Sequence, residues 1–184
     1  MPLITGFSPA TSPTLKALVH GLARAAPTSD PPQPELVTAA LDKAAAAHGW
    51  LPDERRRANH DRYARHLIYA DPRGRFSVLM IVWAPGQVSP IHTHRVWSAV
   101  AVCQGALTET VYDRIKSKKA PVATKNQTHI AGWSRFYPAK TVIHRLANRN
   151  PDNTISLHVY GISAAQVSTG INVTFGETPN PPAY

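Results

Sequence analysis

Between Thr14 and Ala25, Leu15, Leu18, Val19 and Leu22 recur at the spacing of one helix face, so an amphipathic helix is predicted there. A break rich in Pro and Asp, Pro27 to Pro34, separates it from a second helix. In that second stretch Leu36, Val37, Ala40, Leu41 and Ala44 share a side and Gly49 acts as the stop. Leu51 to Ile68 reads as a third helical or turn-rich piece, ending in Tyr63-Ala64-Arg65-His66-Leu67-Ile68. Met1 to Pro13 lacks periodicity and is expected to be an unstructured leader. Roughly fifty residues could hardly close a core of their own, so this flank, residues 14–68, is expected to pack on the outside of something larger.

From Asp71 the texture changes. Asp71-Pro72-Arg73-Gly74 is a turn, and Phe76 to Trp83 is an apolar run suited to a strand. Further strands are predicted at Val96–Val102, Leu107–Tyr112, Trp133–Tyr137, Val142–Leu146, Thr154–Tyr160 and Ile171–Phe175. Lys116 to Thr128 reads as a polar loop, and Glu177 to Tyr184 as an extended surface strap. Short strands with turn signals about every 8–12 residues predict an antiparallel β-barrel or jelly roll over residues 72–176, and the absence of a long helix after any strand argues against a parallel doubly wound sheet. The 184 residues fit one domain.

Charge alters this picture little. Twenty Lys and Arg against eleven Asp and Glu give a net charge of +9, which invites an anionic partner. The cations are scattered, with clusters at Arg55-Arg56-Arg57, at Arg114 to Lys119, and at Arg145 with Arg149. None is interleaved with aromatics in a stacking pattern, so no nucleic acid is expected as partner. Neither a signal peptide nor a membrane span is read, and no membrane partner is expected. Cys103 is the one cysteine; a buried, inert thiol and a reducing, cytoplasmic compartment are expected.

Nine histidines are present. His20, His48, His60 and His129 read as solvated or capping residues. His92 and His94 differ, because in an extended segment i and i+2 point to one face and both imidazoles can reach one point. Pro85-Gly86 opens that segment, and Pro90 enforces an extended approach. His144, on another predicted strand, would complete a facial set of three imidazoles with open metal positions. Such ligands suit Fe, Zn, Cu or Ni alike. In the strand Ser156-Leu157-His158-Val159-Tyr160, the polar trio shares one face and the aliphatics the other. If the polar face is the inner one, it forms a relay from hydroxyl to imidazole to phenol; the alternative is a polar outer face on an edge strand.

Taken together these residues resemble the cupin superfamily and, within it, the bacterial cysteine dioxygenase and thiol dioxygenase family. Gly86, His92, His94, Ser98 and Gly105 stand at first-motif positions, with Ser98 where many cupins hold a metal-binding Glu. Trp133, Pro138, His144 and Asn148 look like the second motif, with Lys140 where a glycine is common. The resemblance runs from about Tyr63 to Tyr160. It implies a cupin-type barrel and a ferrous iron, Fe(2+), held by His92, His94 and His144. It also implies a Ser156-His158-Tyr160 relay, and substrate binding through the Tyr63-Ala64-Arg65 run, in which Arg65 would clamp a carboxylate. The implied reaction oxidises cysteine to cysteine sulfinate with dioxygen. Related 3-mercaptopropionate dioxygenases tend to carry an Arg after the relay Tyr; Gln166, Val167, Ser168 and Thr169 stand here instead, which favours cysteine. The Cys that is thioether-linked to Tyr in animal members aligns with Ser98, so Tyr160 is expected to lack a crosslink. The alternatives are a 3-mercaptopropionate or mercaptosuccinate dioxygenase, another cupin oxygenase or metal-dependent isomerase, and a non-enzymatic ligand-binding cupin. The expected partners are a small thiol and O2, and the chain is expected to be a monomer or weak homo-oligomer.

Overall fold

The computed structural model describes residue 8 and residues 10–113 and 121–176. The leader, the basic cluster at 114–119 and the C-terminal strap therefore lie wholly or mostly outside the described residues. Helix α1 spans Pro13–Ala25 and α2 spans Pro34–Ala46, both with Pro in the first turn, where a missing N–H costs nothing. The Ser12 hydroxyl accepts the Leu15 N–H and caps α1. The buried faces carry Leu15, Leu18, Val19 and Leu22 on α1 and Val37, Ala40, Leu41 and Ala44 on α2, as the periodicity predicts, but Leu36, expected on the same side of α2, is 44% exposed.

The stretch Leu51–Ile68, expected to be helical or turn-rich, is turn-rich at its start and a strand at its end. Asp53–Arg55 forms one 3-10 turn, and Ala64–Ala70 is strand β1. Arg65 thus comes from a sheet and not from a helical flank. Nine more strands follow: β2 Ser77–Trp83, β3 Ile91–His94, β4 Ser98–Gln104, β5 Ala106–Asp113, β6 Val122–Ile130, β7 Ser134–Tyr137, β8 Ile143–Ala147, β9 Thr154–Tyr160 and β10 Asn172–Phe175. The predicted polar loop is in large part β6, an edge strand whose residues are exposed except for His129. Its polar sequence reflects two solvated faces, which period-2 patterning cannot reveal.

The strands form two five-stranded sheets, ordered β1-β2-β9-β4-β7 and β10-β3-β8-β5-β6, and every pairing between them is antiparallel. The helices cover the outer face of the first sheet, where Val78, Met80, Val82, Ala99, Ala101, Leu157 and Val159 join Leu18, Leu22, Val37 and Leu41 in one core. The inner face looks towards the second sheet. Strands β2 and β9 are consequently buried along their whole length. Between β4 and β5 the chain turns at Gly105, where φ is 74° and a Cβ would meet the Thr154 hydroxyl, so only glycine fits.

A clamp fixes the β1–β2 turn to the helices. Arg75 donates from Nε and Nη2 to both Asp71 oxygens, at 2.8 and 2.7 Å, and from Nη1 to the Ala23 carbonyl of α1. The Arg75 hydrogen bond holds the Asp71 carboxyl below its ordinary value against the opposing effect of burial. Its contribution is therefore present above the unfolded carboxylate pKa of about 3.9 and is lost as pH falls through the lowered folded value. Arg75→Ala is expected to cost about 1–3 kcal/mol at neutral pH, since the pair is only partly buried and water screens part of its charge. Urea denaturation of both proteins should show that gap at pH 7 and a narrowing gap in acid.

Candidate metal centre

Alternation decides which side chains meet inside the barrel. His92 and His94 are two residues apart on β3, and His92 pairs in register with His144 on β8. All three imidazoles are buried, and their ligand atoms lie within 4.8 Å of one another. Each ring has its Nδ1 engaged. His92 Nδ1 donates to the Pro90 carbonyl at 2.9 Å, His94 Nδ1 lies 2.8 Å from the Ser98 hydroxyl, and His144 Nδ1 donates to Glu109 at 2.7 Å. The Nε2 atoms are thus left for a common centre. His92 Nε2 and His94 Nε2 approach to 3.2 Å, and His144 Nε2 is buried with no hydrogen-bond partner. One cation would satisfy all three, so the donor set fits a metal with neutral imidazole ligands. Burial, and then the charge of His144, push His92 down to about 3. Burial and the neighbouring imidazoles hold His94 well below its usual value, which keeps its lone pair available.

Glu109 was not singled out from the sequence, and it is the group that fixes His144. It is 1% exposed and accepts from His144 Nδ1, from the Tyr137 hydroxyl at 2.7 Å and from His129 Nε2 at 3.1 Å. Burial pushes its carboxyl up, but the hydrogen bonds from His144, Tyr137 and His129 prevail and hold it down at about 2. The signal was present in the sequence. In β5 Leu107, Glu109 and Val111 share a face, so an acid occupies an inward position of an apolar alternation. His129 also corrects its reading as a solvated residue: it pairs in register with Leu107, is buried, and stacks on Trp133 at 3.5 Å. His20, His48 and His60 are exposed, as expected.

The relay residues Ser156, His158 and Tyr160 point inward, because the opposite face of β9 is taken up by the helices. Ser156 Oγ lies 2.9 Å from His158 Nε2, and His158 Nδ1 lies 3.2 Å from the Tyr160 hydroxyl. The polar outer face considered for this strand does not exist. Burial, and then the charge of Arg65, keep the His158 pKa well below its ordinary value. Tyr160 closes on the imidazole cluster, its ring centroid 5.4 Å from that of His94.

A small cavity that opens to solvent joins these groups. Tyr63, Arg65, Ser98, Tyr160 and the three imidazoles all line it. Arg65 pairs with Ile81, which pairs with Ser156, so the row places Arg65 on the inner face; it is 7% exposed. Tyr63 stacks on Trp83 at 4.4 Å. Ser98 stands directly opposite Tyr160 across β4 and β9. Cys103 packs instead with the core on the helix side, and burial raises its thiol to about 12. Asn172, a residue the sequence reading passed over, pairs with His94 and brings a buried, unpartnered Oδ1 to the cavity lining.

Two facing antiparallel sheets around an enclosed three-imidazole cluster define a cupin-type barrel with a metal-binding cavity. The family model described as cysteine dioxygenase type I matches residues 38–168, and the chain belongs to that family. Among solved structures, an uncharacterized conserved protein with a double-stranded β-helix domain from Klebsiella pneumoniae is similar at a TM-score of 0.52 and 15% identity, over 71% of this chain and 99% of that one. A cupin superfamily protein from Desulfitobacterium hafniense matches at a TM-score of 0.47 and 14% identity, over 64% of this chain and 94% of its own. At that identity the Klebsiella likeness speaks for the fold alone.

Removing the Glu109 carboxylate should loosen His144. Glu109→Ala is expected to weaken divalent-metal affinity by about 10- to 100-fold, and Glu109→Gln by less. Competition against a chelating dye measures both, with circular dichroism reporting whether the fold is retained. Unchanged affinity in folded Glu109→Ala would remove the carboxylate from the support of the site.

Proposed function

We propose that the chain oxidises a small carboxylate-bearing thiol, cysteine foremost, to its sulfinate with both atoms of dioxygen, at ferrous iron held by His92, His94 and His144. The observation that carries this reading is the meeting, in one cavity, of three imidazole Nε2 atoms and the buried cation Arg65. Membership of the cysteine dioxygenase type I family supports it. Ferrous iron bound there would supply a Lewis acid that lowers the pKa of a thiol, together with redox contact with dioxygen.

The remaining work falls to the side chains. Arg65 offers a planar guanidinium whose charge cannot be lost, and it can hold the substrate carboxylate bidentately. Asn172 Oδ1, buried and unpartnered, is an acceptor for a substrate ammonium, which favours cysteine over a thiol lacking the amine. Ile81, Val100 and Leu146 give the cavity an apolar wall, and a dry wall strengthens each polar contact inside it. Tyr160 stands beside His94, where its hydroxyl can hydrogen-bond to an oxygen of the reacting pair. Atoms and electrons balance without a further reductant: both oxygen atoms end on sulfur, the thiol hydrogen ends on the sulfinic acid, and sulfur supplies the electrons that dioxygen accepts. Among the described residues no helix is long and apolar enough to cross a membrane, and the single thiol, half-buried where the sequence predicts a buried one, suits a reducing cytoplasm.

Arg65 provides the test. Its replacement by Ala leaves a desolvated carboxylate without a partner, at a cost of about 2–5 kcal/mol, or roughly 30- to several-thousand-fold in kcat/KM for cysteine. Arg65→Lys should recover part of the loss, and cysteamine, which has no carboxylate, should be little affected. Oxygen uptake and sulfinate formation with iron-loaded protein measure all three. An equal loss on every thiol would make Arg65 structural. Preference of the wild type for 3-mercaptopropionate or mercaptosuccinate would overturn the substrate, and ligand binding without turnover would favour a non-enzymatic module.

A further inference from the structure

Trp83 lies at the start of the relay. It is 2% exposed, and its Nε1–H donates to Ser156 Oγ at 2.9 Å. An indole nitrogen can donate and cannot accept, so the direction of this bond is fixed. Among the described residues Ser156 Oγ makes two hydrogen bonds, to Trp83 Nε1 and to His158 Nε2, and it is fully buried. Having accepted from Trp83, the hydroxyl has one acceptor within reach for its own hydrogen, the bare Nε2 of His158. The reverse assignment would leave a buried hydroxyl hydrogen unpaired, which is costly.

We propose that Trp83 is a positioning residue that sets the polarity of the whole relay, so that Tyr160 presents its phenolic hydrogen to an acceptor in the cavity. The chain of donations runs Trp83 Nε1–H to Ser156, Ser156 O–H to His158 Nε2, and His158 Nδ1–H to the Tyr160 oxygen. With its oxygen accepting from His158, Tyr160 turns its own hydrogen to another acceptor, and its side chain lines the same cavity as the imidazole cluster. Its complement is a lone-pair or anionic oxygen, such as a substrate carboxylate or an oxygen atom of the reaction. Stacking of Tyr63 on Trp83 holds the indole in place, tying the pocket wall to the relay. The role of the presented hydrogen in turnover rests on the thiol dioxygenase reading; the polarity itself does not.

The polarity can be read without turnover. In the full chain, labelled with 15N at histidine and observed both metal-free and with Zn2+, long-range 1H–15N correlation spectra report the tautomer of each imidazole. The expected result is His158 with hydrogen on Nδ1 and a bare Nε2. In Trp83→Phe, which keeps an aromatic wall but removes the donor, the Nε2-protonated form should appear. If that variant does not fold, Ser156→Ala should show the same loss of bias. A wild-type His158 with hydrogen on Nε2, or an unchanged tautomer in folded Trp83→Phe, would overturn the proposal. With thiols and iron, Trp83→Phe should lose about tenfold in kcat with KM and iron content little changed. An unaltered kcat alongside the altered tautomer would overturn the presented hydrogen's part in turnover. Absence of thiol oxidation by the wild type would count against the dioxygenase reading and leave the tautomer result intact.

Discussion

The first sheet is covered on both faces, by helices outside and by the second sheet inside, and the polar interior depends on this arrangement. Strand β9 shows why. Leu157 and Val159 join the core beneath α1 and α2, so hydrophobic burial on that side anchors the strand. Ser156, His158 and Tyr160 are then free to line the cavity without carrying the cohesion of the fold. A polar inner face costs stability unless each group is hydrogen-bonded, and here the members of the trio bond to one another and to Trp83.

The same logic governs the imidazoles. A buried ring with both nitrogens unpaired would be costly, and each of the three rings has a fixed partner on Nδ1: a backbone carbonyl, a serine and a carboxylate. These three partners differ in basicity. Glu109 makes His144 the most electron-rich donor, whereas His92 leans on a neutral carbonyl. The cluster is therefore unsymmetrical before any ligand enters, and the cation Arg65 adds a further gradient on the wall formed by β1.

Much of this was legible in the sequence, for reasons that can be named. The i, i+2 spacing of His92 and His94 fixes a shared face once the strand is extended, and Pro90 makes it so. The alternation of β9 separated the relay from the aliphatics. Lys140, conspicuous where glycine is common, does adopt the left-handed conformation, with φ at 60°. The misses also have physical causes. The end of the stretch Leu51–Ile68, which the sequence predicts as helical or turn-rich, gives no clean alternation, and in β1 a bulge between Leu67 and Tyr69 shifts the register. Strand β6 meets solvent on both faces, so its sequence carries no strand alternation and predicts a loop. His129 and Glu109 lie apart in sequence on paired strands, so no single stretch of chain shows that they meet. The same holds for Asn172, which reaches the cavity through its pairing with His94.

The chemistry requires the three imidazoles to act as one metal site. Anaerobic equilibrium dialysis of ferrous iron against the full chain tests this most directly, in the wild type and in His92→Ala, His94→Ala and His144→Ala. The account predicts about one iron per chain in the wild type and a marked loss of binding in each variant whose circular dichroism shows an intact fold. Full iron retention by any folded variant would take that residue out of the site, and retention by all three would contradict the account.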